Sequence, residues 1–413
     1  MSFKTAYPKT SEAVQDVVSA EGAVCVSCKA VGGKITPALT TGLTSTRAPA
    51  NVTYAAYSEA TSRYYLLADG KAYNSRTSQM FSSAFADIAL SSPFIFGDRS
   101  DGTAKTYIIS GNKGLAYPTT LTPTTLKYSI YGGVMKSGRL FAMDGSEKFK
   151  LRWSGKGGGF DWEESISGAG WANLESGLGP VRNLVVLGEK LIALRELGIT
   201  VLSVFGNPEN FKMEERNIAA PSALSNTAAV VGGKLYFFTF NGFYGFDGSK
   251  TFKVDCPLAD SISSPKNAVK FGETYLICGV YKPENKKCVF AYDTREEAAY
   301  IIDCPATAII TTSDIIAYME EGGSSLLVKG NAYTFTSGKL DFGTGGRKVL
   351  KRIEILSGEP VDITVSNGEY TRTYDGVKDK IITRISGESF TVKVEGSDEI
   401  KSIKAFAEVR SGV

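Results

Sequence analysis

Histidine is absent from the 413 residues. That removes Ser-His and Cys-His nucleophilic machinery and histidine-ligated metal centres. Carboxylates, cysteines and one glycine-rich segment remain as candidates for chemistry. Asp161, Glu163 and Glu164 stand together beside Trp162, with Trp153 and Trp171 on either side. Paired carboxylates can hydrolyse glycosides, and indoles could stack on sugar rings. Neighbours in one loop cannot easily face each other across a substrate, however, and the repeated Ser-x-Asp-x-Gly-x-Thr-Trp box of sialidases is missing. No catalytic residue is therefore assigned.

Cys25 and Cys28 form a C-x-x-C. No second pair lies nearby, so four zinc ligands cannot be assembled. The motif falls in the alternating run AVCVSC, which reads as a buried strand and not as the strand-to-helix turn of a redox site. Cys256 and Cys304 each sit in Asp-Cys-Pro, an echo read as repeat geometry and not as a disulfide. Lys156 lies among Gly155, Gly157, Gly158 and Gly159, but the phosphate-loop spacing and its following helix are missing. Asp69, Asp101, Asp144, Asp247 and Asp375 each precede a glycine as isolated acids, which is hairpin-turn chemistry and not a calcium ladder. No metal and no cofactor is expected.

The elements that carry these residues are short strands. The chain has 22 Phe, 20 Tyr and 44 Gly against 14 Pro, a balance that favours strands joined by tight turns. A formal charge of +3 gives no electrostatic signature of nucleic-acid binding. No apolar run approaches the roughly 20 residues of a membrane span. The first residues, MSFKTAYPKTSEAVQDV, lack the layout of a secretory signal, so the chain is expected to stay where it is made.

From residue 51 a unit recurs about every forty residues: strand, turn, strand, turn, strand. Its second strands begin near Tyr64, Tyr107, Leu140, Leu191, Leu235, Tyr275 and Ile315. Ser225–Lys250, SNTAAVVGGKLYFFTFNGFYGFDGSK, shows the unit most plainly. The spacing predicts an all-β fold over 51–344, a β-propeller of about seven blades, with six or eight also compatible. Residues 1–50 read as an arm plus a hairpin at 23–39, which could close the propeller by pairing into the last blade. The stretched interval Trp153–Pro180 reads as a long loop holding Trp153, Trp162, Trp171 and Asp161, the candidate interaction loop.

After Gly346 the pattern becomes strict period-two alternation, so 345–413 reads as a C-terminal antiparallel β-sandwich. Arg347, Lys348, Lys351 and Arg352 form a basic cluster at its start, read as a solvated edge strand or as a patch for an anionic partner.

The stretch Arg139–Lys250 resembles the β-propeller tail proteins of bacteriophages, the tail nozzle and packaged-DNA stabilisation types. The likeness rests on SGRLFAMDGSEKFKLRWSGKGGGFDW, on GPVRNLVVLGEKLIALRELGITVLSVFGNPENFKM and on VVGGKLYFFTFNGFYGFDG, in that order. The resemblance implies a virion structural protein and not an enzyme. It implies copies of itself in a sixfold ring around the DNA exit channel, at the tail or neck. Other neck or tail proteins would be its neighbours, and DNA would pass without sequence-specific contact. The alternative is a carbohydrate- or receptor-binding propeller of the virion, working through the tryptophan loop.

Overall fold

The computed structural model describes residues 10–45, 48, 49, 51–78, 81, 83–88, 93–99, 102–157, 160–162, 168–174, 177–205, 207–216, 222–321 and 323–410. Among them the fold is all-β. Helical geometry is confined to single turns at Pro208–Asn210 and Pro257–Asp260. The chain divides into two compact units, 42–295 with 304–327, and 1–41 with 296–303 and 328–413.

The first unit is a succession of antiparallel meanders, which gives it β-propeller character. Val52–Ser58, Arg63–Ala68, Lys71–Ser75 and Ala84–Asp87 make one sheet in chain order. Val181–Leu187 to Lys212–Arg216 make another, and Ala229–Val231 to Thr251–Lys253 a third. Between these lies a larger sheet, from Phe94–Asp98 to Gly170–Asn173, containing the long pair Lys105–Tyr117 and Thr120–Lys136. That pair loses register on both sides of Lys113 and Gly114. Each position read as the start of a second strand lies in or beside a strand.

Each sheet is apolar on both faces, and the faces meet in sequence. Phe141, Leu151 and Trp153 of the larger sheet pack with Val181, Leu191 and Ala193 of the next. Ile192 and Val201 on that sheet's other face pack with Leu235, Phe237 and Phe246. Val52, Leu66 and Ala68 pack with Ala308, Ile310 and Ala317, so the earliest and latest sheets of the unit touch and the succession closes on itself. Leu39–Ser45 lies beside Gly323–Lys329 in the last sheet, where Ser325 Oγ donates to Thr44 Oγ1 at 2.8 Å.

In the stretch Ser225–Lys250, Leu235, Tyr236, Phe237 and Phe238 are all buried because both faces of their strand are covered. Phe238 and Phe243 meet Tyr275 and Phe290, with Phe243 and Tyr275 ring centroids 5.0 Å apart. Tyr275 is fully buried, and its hydroxyl donates to the Thr227 carbonyl at 2.6 Å, the partner that a buried phenol requires.

The other unit contains two groups of strands. Thr10–Asp16 runs antiparallel to Ile400–Arg410 through a register of Thr10 opposite Arg410 to Asp16 opposite Lys404. Lys348–Ser357 lies between Ile400–Arg410 and Lys380–Gly387. Val24–Val26 pairs with Tyr333–Thr336 and bridges to Ala298–Asp303 at Ile301. The period-two pattern is realised: Ile353, Ile363, Val365, Val392, Val394, Ile400 and Ile403 are buried.

Two sequence expectations are corrected here. The hairpin Cys28–Val31 with Lys34–Pro37 does not pair into the last propeller sheet. It reaches Ile400 through Ile35, and the strand after it, Leu39–Ser45, flanks that sheet instead. The basic cluster is also not on an edge, because Lys348–Ser357 has a strand on each side.

Phe237 and Phe240 test the packing scheme, being three residues apart with opposite surroundings. Phe237→Ala should lower the unfolding free energy of the propeller unit by about 3–5 kcal/mol. Phe240→Ala should stay within about 0.5 kcal/mol of the parent. Denaturant titration of the two variants distinguishes these outcomes.

Candidate functional site

The tryptophan region is built on paired strands. Lys150–Trp153 runs antiparallel to Gly170–Asn173, with Arg152 opposite Trp171 and Trp153 opposite Gly170. Gly170 is required there, since a Cβ would fall 2.7 Å from the Trp153 ring. Trp153 is buried edge-on against Phe211, at 5.2 Å between centroids. Trp162 is buried in the core with Phe94, Tyr107 and Leu140, perpendicular to Tyr128. Trp171 is half-exposed, and the Lys150 ammonium covers its ring at 4.5 Å. Two of the three indoles therefore act as packing residues. Asp161 is exposed, and its carbonyl accepts from the Gly155 N–H at 2.7 Å. Glu163, Glu164, Gly158 and Gly159 lie outside the described residues.

Buried cations fix this region. The Arg139 guanidinium donates to the Ser154 and Gly168 carbonyls at 3.0 and 2.9 Å, and burial lowers its pKa. Arg195 is 1% exposed and donates to the Gly179 and Leu174 carbonyls. Arg152 pairs with Asp144 at 2.5 Å, both buried, and lies 3.5 Å over the Tyr128 ring. Burial alone would raise the Asp144 pKa. The Arg152 hydrogen bond and the Ser146 and Glu147 N–H groups outweigh burial and hold it below the ordinary carboxylate range. Asp247 uses the same turn geometry: the Lys250 N–H first, then Ser249, hold its carboxyl down to about 2.

The basic cluster is largely satisfied internally. Lys348 is buried and donates to the Gly346 and Glu388 carbonyls at 2.7 and 2.5 Å. Lys351 pairs with Glu408, and Arg352 with Glu12 and Glu354 while lying 3.8 Å over Phe406. Arg347 donates to Ser386 Oγ at 3.0 Å. The six cysteines are buried thiols outside any disulfide, and burial raises Cys256 and Cys278 above the ordinary thiol range. For Cys28 a Cys25 hydrogen bond leads and burial follows, both raising it. Such thiols are poor nucleophiles. Among the described residues no three potential metal ligands converge.

Sequence reading missed a set of exposed apolar turn tips. Phe149, Leu197 and Phe240 occupy the turns between the second and third strands of a four-strand run in three consecutive parts of the propeller unit. All three are exposed, Phe240 to 84%. Phe240 separates two grooves of about 760 and 580 Å³, which share Leu224, Ser225 and Asn241. The available signal was position: Phe240 directly precedes Asn241-Gly242, so it falls in the turn where no neighbouring sheet covers it. A third cavity, of about 370 Å³, is lined by early strands of the meanders, including Tyr54, Tyr131, Asn183, Asn226 and Asn267. There Asn183 Oδ1 accepts from the Asn226 N–H at 3.0 Å, and Asn267 Oδ1 from the Ile309 N–H at 2.5 Å. These side chains tie successive sheets together.

Removing the Asp144 charge should leave Arg152 buried without its counter-ion, so Asp144→Asn should destabilise the unit by about 3–5 kcal/mol near neutral pH. The folded pKa is depressed, so the contribution is complete above the unfolded carboxylate value of about 4. It is lost as pH falls through the folded value. The gap in unfolding midpoint between parent and variant should therefore narrow in acid; a gap independent of pH would show that the pair is not ionic. Separately, iodide should quench mainly one tryptophan component, and Trp171→Phe should abolish it.

No protein-family model matches the chain, and no curated protein matches it. Among solved structures, the N-terminal domain of Nup159 aligns at 11% identity and a TM-score of 0.43, covering 78% of this chain and 97% of that one. PorZ of Porphyromonas gingivalis aligns at 11% identity and 0.45, covering 81% and 46%. The extracellular domain of the putative hybrid two-component system BT4673 from B. thetaiotaomicron aligns at 10% and 0.46, covering 84% and 53%. Likenesses at these values carry neither function nor partner to this chain.

Proposed function

We propose that this protein is a bacteriophage virion structural component, a nozzle-like ring subunit of the tail or neck that helps retain packaged DNA and passes it at ejection. The sequence resemblance over Arg139–Lys250 motivates the reading. The observation that carries it is the set of apolar turn tips at Phe149, Leu197 and Phe240, all within that stretch. Leu43, Leu121, Phe205 and Leu356 are exposed elsewhere, but these three recur at the same turn of successive sheets, as expected of a surface covered in an assembly. The buried arginines hold loops of the same region, and a ring component needs no active site. The cavity of about 370 Å³ is of small-molecule size. DNA would therefore pass through a hole between subunits and not through the propeller itself.

In this reading the propeller has seven blades. The larger sheet supplies two of them, divided at the register shifts beside Lys113 and Gly114. In support, Ile108 and Leu115 pack with Tyr65 and Leu67 on one side, while Ile109, Ala116 and Leu126 pack with Leu140 and Ala142 on the other. The strands after Gly346, joined by those of the N-terminal arm, would form the two layers of a sandwich.

Native mass spectrometry and negative-stain microscopy of the purified protein should show closed rings, and the chain should be present in purified particles. A protein that stays monomeric at high concentration and is missing from particles overturns the proposal.

A further inference from the structure

The larger groove beside Phe240 has a definite chemical character. Its floor is apolar: Phe238, Ala259 and Ile262 are buried there. Phe240 forms one wall. Lys253 and Lys282 stand exposed at the rim with one acid, Asp260, between them. Lys282 Nζ donates to the Asp260 carbonyl at 2.6 Å, and among the described residues neither lysine is in an ion pair. Gly242 keeps the groove open where these groups converge, since a Cβ there would lie 2.9 Å from Asp260 Oδ1 and 3.0 Å from Lys253 Cε. On the far side of Phe240 the second groove continues past Leu197, itself exposed.

We propose that this surface is a docking site for an extended acidic segment of a partner protein. An aliphatic or aromatic side chain of the segment would seat against Phe240 and the apolar floor, and its carboxylates would reach Lys253 and Lys282. Charge complementarity selects this occupant: the rim is cationic by one charge, and its lysines lack the internal carboxylates that satisfy Lys351 and Arg352. The aromatic supplies the desolvated anchor and the lysines supply sign and register. The site shares Phe240 and Leu197 with the turn tips of the assembly proposal, and a Phe240→Ala protein that loses peptide binding but still forms rings separates the two.

The test uses the full chain against two sets of immobilised hexapeptides, one combining Leu or Phe with Asp or Glu, the other with Lys in place of the acids. The acidic set should be retained and the lysine set not, with binding weakened by raising NaCl from about 0.05 to about 0.5 M. Phe240→Ala should reduce affinity for retained peptides at least about tenfold, and Lys253→Glu with Lys282→Glu should do the same while thermal unfolding is unchanged. Equal retention of both sets, no retention of either, or undiminished binding by Phe240→Ala overturns the proposal. Self-association of the parent that Phe240→Ala abolishes, without peptide binding, assigns the surface to a second copy and equally overturns it.

Discussion

A meander of short aromatic strands has two apolar faces and cannot bury both by itself. Everything in the propeller unit follows from that constraint. Burying one Phe or Leu side chain is worth about 1.5–3 kcal/mol, and in Leu235–Phe238 four consecutive apolar residues depend on neighbours above and below. A succession of such sheets is stable only if its ends also meet. The contact between Val52, Leu66 and Ala68 and Ala308, Ile310 and Ala317 is therefore not an extra feature but the condition for all the others. Asn183 and Asn267 add directional hydrogen bonds between sheets, which apolar packing alone does not supply.

Polar groups inside this framework serve to hold loops. Arg139 and Arg195 are buried yet spend their donors on backbone carbonyls of the segments that join strands. Unpaired carbonyls in such places would be costly. Arginine's planar fork reaches several at once, which a lysine point charge does less well. Arg152 differs, because it is balanced by Asp144, itself fixed by the turn it caps. The long segment after Trp153 is thus tied down at Ser154, Gly168, Leu174 and Gly179.

Much of the architecture was legible because it is local. Gly-Gly, Asn-Gly and Asp-Gly turns separate apolar runs too short for helices, and the strands fall where those turns place them. Alternation after Gly346 likewise survives, since Ile363, Val365, Val392 and Val394 share burial. What is not local was illegible. Trp153, Trp162 and Trp171 read alike in sequence, yet only a tertiary neighbour decides that Phe211 and Tyr128 bury two of them. The basic cluster could not reveal Glu12 and Glu408, which come from distant strands. The exposed tip at Phe240 was hidden in an aromatic run whose other members are buried or, for Tyr244, half-buried.

The pairing of Thr10–Asp16 with Ile400–Arg410 has a consequence for biosynthesis. At about 5–20 residues per second a ribosome needs roughly 20–80 s to travel from one of these strands to the other. Through that interval the earliest strand has no edge to join, and neither do Val24–Val26 and the hairpin after it, whose partners Tyr333–Thr336 and Ile400 also come late. The propeller sheets emerge in between and can close locally. The unit that contains the chain's beginning is therefore completed last, and its waiting strands are the part of the nascent chain most exposed to wrong partners.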